Sequence, residues 1–401
     1  MFYPVLLFDS VHRYAKAILF FTIFFDLLGF GIVIPILPNY VKEMTESDFL
    51  VGMPVTLFAL SQFFFTPIWG SLSDKYGRRP IILISLVLSL IAYFVLSFAD
   101  SFLMLLFARI LSGIGSGNIS AAQAYISDVT DPKDRAKSMG MIGAAFGLGF
   151  IFGPPIGGFL MEDFGFSSIG HFCMLLCALN LILAYFFLPE SLKERRYEVK
   201  INLLPIKDYR YVFSKPLLPF ILFIGFIYTA GFFLFQIPST LMWKERFHFS
   251  EKEIGWIFTF IGVCTALVQG GMIGFLNRWF GEKKLLFWGN VLLALSVLGI
   301  PFVSKAYFIP VELILLFGIA VANGCVGPSA LSVVSQIAPE KEKGLVMGIY
   351  QSFSSLARAA GPILGSSLYG ISFFTPFLAA CFIYGANAII TFFFLKRLRN
   401  F

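Results

Sequence analysis

The chain has 401 residues, 58% of them hydrophobic and only 13% charged, with a mean hydropathy of +0.84. That balance excludes a soluble globule, and its formal charge of +7 is no sign of nucleic-acid binding once the cations are placed along the chain. Helices of about 20 residues with short loops leave room for about twelve membrane crossings.

The apolar runs place the first six near 15–39, 51–73, 80–98, 102–128, 137–161 and 168–189. The second six fall near 217–241, 252–276, 284–303, 307–336, 344–369 and 373–396. Ahead of them Phe2–Phe8 is apolar but short and without a basic flank, so no cleaved leader is expected and the first span directs insertion. The 51 phenylalanines are expected mainly on lipid-facing and packing surfaces. Of the thirty Lys and Arg residues, twenty-three lie in the termini and in loops after even-numbered spans, among them Arg13, Lys75, Arg135, Arg195, Lys283 and Arg397. Five (Lys42, Lys244, Arg246, Lys252, Lys305) lie in the opposite loops, and Arg109 and Arg358 lie within spans. By the positive-inside rule both termini are cytoplasmic and the expected location is the inner membrane.

In the first span Asp26 stands near the middle, where an ionised side chain costs roughly 3 kcal/mol. Two readings stand for it. Its carboxylate either bonds backbone opened by Gly29, Gly31 and Pro35, or takes up and releases a proton as it meets two environments in turn. Between the second and third spans runs Gly70-Ser-Leu-Ser-Asp74-Lys-Tyr-Gly77-Arg78-Arg79, a tight turn carrying an acid and three cations. Arg109 sits about two turns into the fourth span. By itself it reads as an interhelical structural cation, since Arg keeps its proton. Asp128 closes that span. In the fifth, Gly149, Gly153, Pro154, Gly157 and Gly158 put small residues at four-residue spacing on one face, suited to close helix packing, while the proline bends the helix.

A charged stretch from Pro189 to Pro216 carries seven cations and divides the chain. The expected domains are a bundle over 1–190, a cytoplasmic linker over 191–216 and a second bundle over 217–401. Internal similarity supports this division. Met139-Gly140 and Met347-Gly348 are 208 residues apart, as are Gly153-Pro154 and Gly361-Pro362, and Gly157 and Gly365. The loops Asp131–Arg135 and Pro339–Lys343 match in kind. A weaker copy of the charged turn stands at Gly274–Lys284, with Arg278 in the place of Asp74 and Glu282 in that of Arg78. Duplicated halves set a substrate site near the bilayer midplane. In the second half Glu312 lies in the outer third of the tenth span, where it either snorkels to the surface or forms a second proton or cation site. Arg358, in the eleventh, either pairs with the Asp74 loop or meets an anionic substrate.

The polar residues expected along a substrate path are Gln62, Asn118, Gln123, Gln236, Asn323 and Gln351 with Arg358, joined by Tyr125, Gln269 and Asn387. Such a half-apolar set suits an amphipathic organic molecule better than a sugar phosphate. The five cysteines (Cys173, Cys177, Cys264, Cys325, Cys381) all fall in apolar spans, so no disulfide framework is expected. Neither a metal-ligand cluster, a phosphate-binding glycine loop nor a nucleophile arrangement stands out. No metal, cofactor, nucleic acid or enzymatic activity is expected. The partners are protons, a small molecule and the lipid bilayer, and the chain is expected to act as a monomer.

The Gly70–Arg79 block resembles the loop signature of the major facilitator superfamily. Gly149-Phe-Ile-Phe-Gly153-Pro154-Pro-Ile-Gly157-Gly158 is similar to the glycine/proline signature of its antiporters. Asp26-Leu-Leu-Gly29-Phe-Gly31-Ile-Val-Ile-Pro35-Ile-Leu-Pro38 is similar to the first span of its tetracycline and multidrug proton antiporters. In the fourth span Arg109-Ile-Leu-Ser-Gly113 keeps the family's Arg and Gly but not its neighbouring Gln. The resemblance covers essentially the whole chain. It implies an all-α membrane protein with twelve helices in two pseudo-symmetric six-helix bundles, exporting a lipophilic compound against protons by alternating access. It also implies that Arg109 governs protonation of a nearby acid, and that Asp74, Arg78 and Asp128 form a charge cluster. Asp74 is further expected to cap a span-eleven helix end and so to latch the halves, with Gly70, Gly77 and Arg79 shaping the gate. An importer or uniporter of a metabolite, lipid or siderophore is the alternative, and a non-transporting sensor a more distant one.

Overall fold

The computed structural model describes residues 3–130, 135–192, 206–339 and 343–398. The linker residues 193–205 and parts of the two matching loops, 131–134 and 340–342, lie outside the described residues. All regular structure among the described residues is helical. In chain order the helices are α1 (Tyr3–Val33), α2 (Leu37–Met44), α3 (Asp48–Val51), α4 (Met53–Tyr76), α5 (Arg78–Ser97), α6 (Phe102–Gly115), α7 (Ile119–Asp128), α8 (Arg135–Phe164) and α9 (Phe166–Phe187). They continue with α10 (Ile206–Phe213), α11 (Leu218–Phe247), α12 (Glu251–Leu267), α13 (Ile273–Phe280), α14 (Glu282–Gly299), α15 (Leu313–Ile337), α16 (Lys343–Ile371) and α17 (Thr375–Leu398).

Among the described residues nine helical segments are long and apolar enough to cross a membrane, and ten if α1 and α2 count as one bent span. The bend between Ala17–Val33 and Leu37–Met44 is 45°, and it falls at Pro35, which has no N–H to carry the helix through. Two further helices, α8 with 30 residues and α16 with 29, have the length for a crossing. Three spans read as single runs in the sequence are interrupted. A 3-10 turn, Ser116–Asn118, parts α6 from α7, a π turn, Val268–Met272, parts α12 from α13, and another, Phe308–Glu312, opens α15. Several phenylalanines face outward as expected of a bilayer surface: Phe186, Phe187, Phe382, Phe392 and Phe393 are each more than half exposed.

The chain forms two compact units, Met1–Ile36 with Leu60–Leu204 and Leu37–Ala59 with Pro205–Phe401. In the first, α8 lies directly on α1 because neither helix has a side chain in the way. A Cβ on Gly153 would stand 2.5 Å from the Gly31 carbonyl carbon, and one on Gly157 would stand 2.4 Å from the Ile32 oxygen. The second unit repeats the device with α16 on α11. A Cβ on Gly361 would meet Phe233 Cβ at 2.7 Å, and one on Gly365 would meet the Leu234 oxygen at 2.0 Å. Backbone approach of this kind gains dispersion contact where no hydrophobic drive exists.

The same unit holds α2, α3 and the start of α4. Gly52 N donates to Ser366 Oγ at 3.2 Å and Thr56 Oγ1 to the Ala359 oxygen at 2.7 Å, so the segment is bonded to α16. Asn39 Nδ2 donates to Glu251 Oε1 at 3.0 Å, and Lys244 Nζ lies 2.8 Å from that oxygen and 3.1 Å from Glu43 Oε1. A Ser250/Glu253 capping box starts α12 beside this network.

Candidate functional site

The polar centre of the first unit is built by the break in the fourth span. Two side chains of α4 bond carbonyls at the break, which need partners where the helix is interrupted, and Ser120 of α7 bonds back to α4. Trp69 Nε1 donates to the Ile114 oxygen at 2.7 Å, Gln62 Nε2 to the Ser116 oxygen at 3.2 Å, and Ser120 Oγ to the Thr66 oxygen at 2.7 Å. Gly117 lets the turn seat closely, since a Cβ there would come within 2.9 Å of the Trp69 ring. At its end Asn118 is buried, with Nδ2 donating to Asp26 Oδ2 at 3.2 Å and to Ser85 Oγ at 2.8 Å.

Asp26 is partly exposed. On its other flank the Tyr93 hydroxyl packs on Gly29, where a Cβ would meet it at 2.5 Å. Tyr93 is near enough to feel the charges of both Asp26 and Arg109. Arg109 itself is 1% exposed, one of the largest fully buried side chains. A carboxylate, an amide, a phenol and a guanidinium thus share the interior of one bundle. Gln62 and Asn118 here bond helix to helix within the bundle. Gln123 is partly exposed on α7, and the buried Tyr125 donates its hydroxyl to the Pro189 oxygen at 2.8 Å.

At the ends of α4 and α7 the charged turn closes on itself. Gly77 has φ of +113°, a conformation that disfavours other residues, and with it α4 passes into α5. Arg78 is brought against three partners: Nη2 lies 2.6 Å from Asp74 Oδ1, Nε 3.1 Å from Asp128 Oδ2, and Nη1 2.6 Å from Ser73 Oγ. Gly70 faces Ser120, with 3.4 Å between its would-be Cβ and the hydroxyl. Glu190, not singled out in the sequence, completes the group. Its oxygens accept the backbone N–H groups of Arg78 at 2.9 Å and Arg79 at 3.3 Å, while Arg79 Nη2 donates to the Tyr185 oxygen at 2.6 Å. The signal available was an acid one residue past the end of an apolar run, inside a stretch read only for its cations.

The second unit carries the counterpart with the charges exchanged. Gly281, φ +76°, joins α13 to α14 as Gly77 joins α4 to α5. A shift of 204 residues takes Arg78 to Glu282 and Asp128 to Ser332. Glu282 accepts from Ser332 Oγ at 2.7 Å and from Gln336 Nε2 at 2.6 Å. A guanidinium between carboxylates in one unit is therefore a carboxylate between neutral donors in the other. The antiporter-like residues of α8 divide their work. Gly149, Gly153 and Gly157 meet the α1 backbone, Gly158 is buried, and Pro154 stands buried within the helix.

Glu312 is 0% exposed and so does not reach for the surface. Trp243 Nε1 donates to its Oε1 at 2.8 Å, while Oε2 is buried with no hydrogen-bond partner among the described residues. Asn323 Oδ1 accepts from the Tyr228 hydroxyl at 3.0 Å, and Gln236 is buried about two turns further along α11. Gln351 and Arg358 are partly exposed on α16, with Arg358 Nη2 donating to Ser355 Oγ at 2.7 Å. Gln269 is exposed in its π turn. Asn387 is fully buried and bonds Asn290 at 2.9 Å and the Ile224 oxygen at 3.2 Å, an arrangement that ties α17 to α14 and α11.

Comparison with known proteins agrees with this architecture. The sequence profile of the Major Facilitator Superfamily matches residues 19–242 and 221–400. The chain is 30% identical to the Tetracycline resistance protein, class C, of Escherichia coli over 360 residues, 88% of each chain. It is also 30% identical to Multidrug resistance protein 2 of Bacillus subtilis over 372 residues, 91% of each. Among solved structures, the human organic anion transporter MFSD10 superposes with a TM-score of 0.73 at 25% identity, over 95% of this chain and 99% of that one.

Proposed function

Because the chain belongs to the major facilitator superfamily, we propose that this transporter exports a lipophilic or amphipathic small molecule in exchange for protons. The observation that carries the proposal is the Asp26 centre. Asp26, partly exposed in the first span, is gripped by Asn118, and the buried Tyr93 nearby is in reach of its charge and of that of Arg109. A carboxylate with that exposure can exchange a proton with water, and the substrate competes with the proton for the same centre as it opens to one side and then the other. Similarity to a tetracycline and a multidrug resistance protein supports an efflux substrate of mixed polarity. The protein is a multi-pass membrane protein. The bias of twenty-three of thirty cations to one set of loops supports cytoplasmic termini and residence in the inner membrane. A charge crossing 100 mV releases about 2.3 kcal/mol, enough to drive uphill export of a small molecule tens-fold.

One observation favours a second reading, transport of an organic anion. Arg358 is partly exposed in the middle of α16, with its guanidinium donating to Ser355, and the similar human structure is described as an organic anion transporter. Proteoliposomes with an imposed pH gradient separate the two. Uptake into inverted vesicles of tetracycline and lipophilic cationic dyes, lost in Asp26→Asn, is the expected result. Gradient-driven movement of organic anions alone, lost in Arg358→Ala, would replace it with the second reading.

A further inference from the structure

Asn118 belongs by its residue type to the polar lining expected around a substrate, yet its surroundings leave it little freedom for that task. It is 5% exposed. Both of its amide protons are committed, one to Asp26 Oδ2 at 3.2 Å and one to Ser85 Oγ at 2.8 Å, and an amide nitrogen has only two to give. Ser85 is 0% exposed and passes its own proton to the Ile82 oxygen at 2.7 Å, so its hydroxyl orientation is fixed from below. The turn that carries Asn118 is fixed as well. Trp69 and Gln62 bond the carbonyls on its approach, and Ser120 bonds back to α4 on its exit. Small residues set the spacing, since a Cβ on Gly115 would stand 2.3 Å from Ser89 Oγ. Asn118 is the last residue of the 3-10 turn Ser116–Asn118, and from there its amide reaches Asp26 on α1.

We propose that Asn118, anchored by Ser85 and the Ser116–Asn118 turn, is a positioning residue that fixes the Asp26 carboxylate, and that it is not a contact for the transported molecule. The inference rests on the reading of Asp26 as the proton-exchanging group. A side chain whose donors are fixed in place favours one arrangement of the carboxylate and distinguishes its charged form from its neutral one. The amide can play that part without moving, because α5 and α4 hold it on two sides.

The test needs no transported molecule. The carbonyl stretch of protonated Asp26 is followed by infrared difference spectroscopy across pH in the purified full chain, and it is assigned by its disappearance in Asp26→Asn. Asn118→Ala is expected to change the band frequency and to shift the titration midpoint by about one pH unit, the equivalent of one hydrogen bond to a charged group. Ser85→Ala, which leaves the amide in place but loosens it, is expected to shift it by less. It also keeps the test open should Asn118→Ala fail to fold. A wild-type band that titrates while both Asn118→Ala and Ser85→Ala leave it unchanged overturns the inference alone. The absence of any Asp26 titration in the wild type overturns the reading of Asp26, and the inference with it.

Discussion

Glu190 follows the last turn of α9, and each of its oxygens takes a backbone N–H from the first turn of α5. Those N–H groups have no intrahelical partner, and a carboxylate at a helix N-terminus is favoured by the dipole as well. Glu190→Gln replaces two charge-assisted bonds with at most one neutral acceptor, at a cost of about 1 kcal/mol. Thermal unfolding in detergent is expected to show a lower midpoint, and an unchanged midpoint would mean that the cap carries no weight. Glu312 is the opposite case, a carboxyl group sealed inside a bundle whose one donor among the described residues is the Trp243 indole. Trp243→Phe leaves that group with no donor and is expected to destabilise the protein by about 1–3 kcal/mol. In a double-mutant cycle with Glu312→Leu most of that loss should vanish, because the group needing the donor is gone.

Elements in this chain are decided by which helix faces are bare. Gly153 and Gly157 on α8, and Gly361 and Gly365 on α16, bring backbones together at distances no side chain would permit. Gly365→Val would place its Cβ about where the Leu234 oxygen now lies, and forcing α16 off α11 is expected to cost about 3 kcal/mol, near the upper end for overpacking. Cysteine accessibility along α16 and the yield of folded protein both report it. Undiminished yield and stability would contradict the close packing. These contacts were legible beforehand because glycines at four-residue spacing mark one helix face. The breaks were not. Nothing in Ser116-Gly-Asn118 stops a helix as a proline does, and the turn there is held by Trp69 and Gln62 of another helix. For the same reason the bonds of Asn118 to Asp26 and Ser85 could not be read beforehand, since helical spacing does not say which neighbour an amide faces.

At the scale of the whole molecule, two units share one plan and differ in chemistry. Both turn on a positive-φ glycine, Gly77 and Gly281, and both seat a fifth-position helix on the first by glycine contact. The Asp26 centre and the Arg78 cluster belong to the first unit, whereas the second holds Glu312 and the charge-exchanged Glu282. Fold class was readable from the long apolar runs, and the Asp74–Arg78–Asp128 grouping, which the family resemblance implied, is present as ion pairs. Glu190, Ser85, Tyr93 and Trp243 were not readable, because each gains its meaning from a partner distant in sequence. The Asn39–Glu251–Lys244–Glu43 network is of the same kind. It bonds α2 to α11 and α12, and of its four residues only Lys244 stood out in the sequence, as a loop cation. Asn39→Ala removes the amide from a buried carboxylate and is expected to lower stability by about 1 kcal/mol, measured again by thermal unfolding. No change would mean that Lys244 alone satisfies Glu251.

Exchange at Asp26 is the central claim, and proton release from the purified protein tests it most directly. Weakly buffered protein is mixed with tetracycline or a lipophilic cationic dye while a pH indicator is read. The account predicts that the wild type releases protons in proportion to the compound bound and that Asp26→Asn binds without release. Release from Asp26→Asn equal to that of the wild type would contradict it.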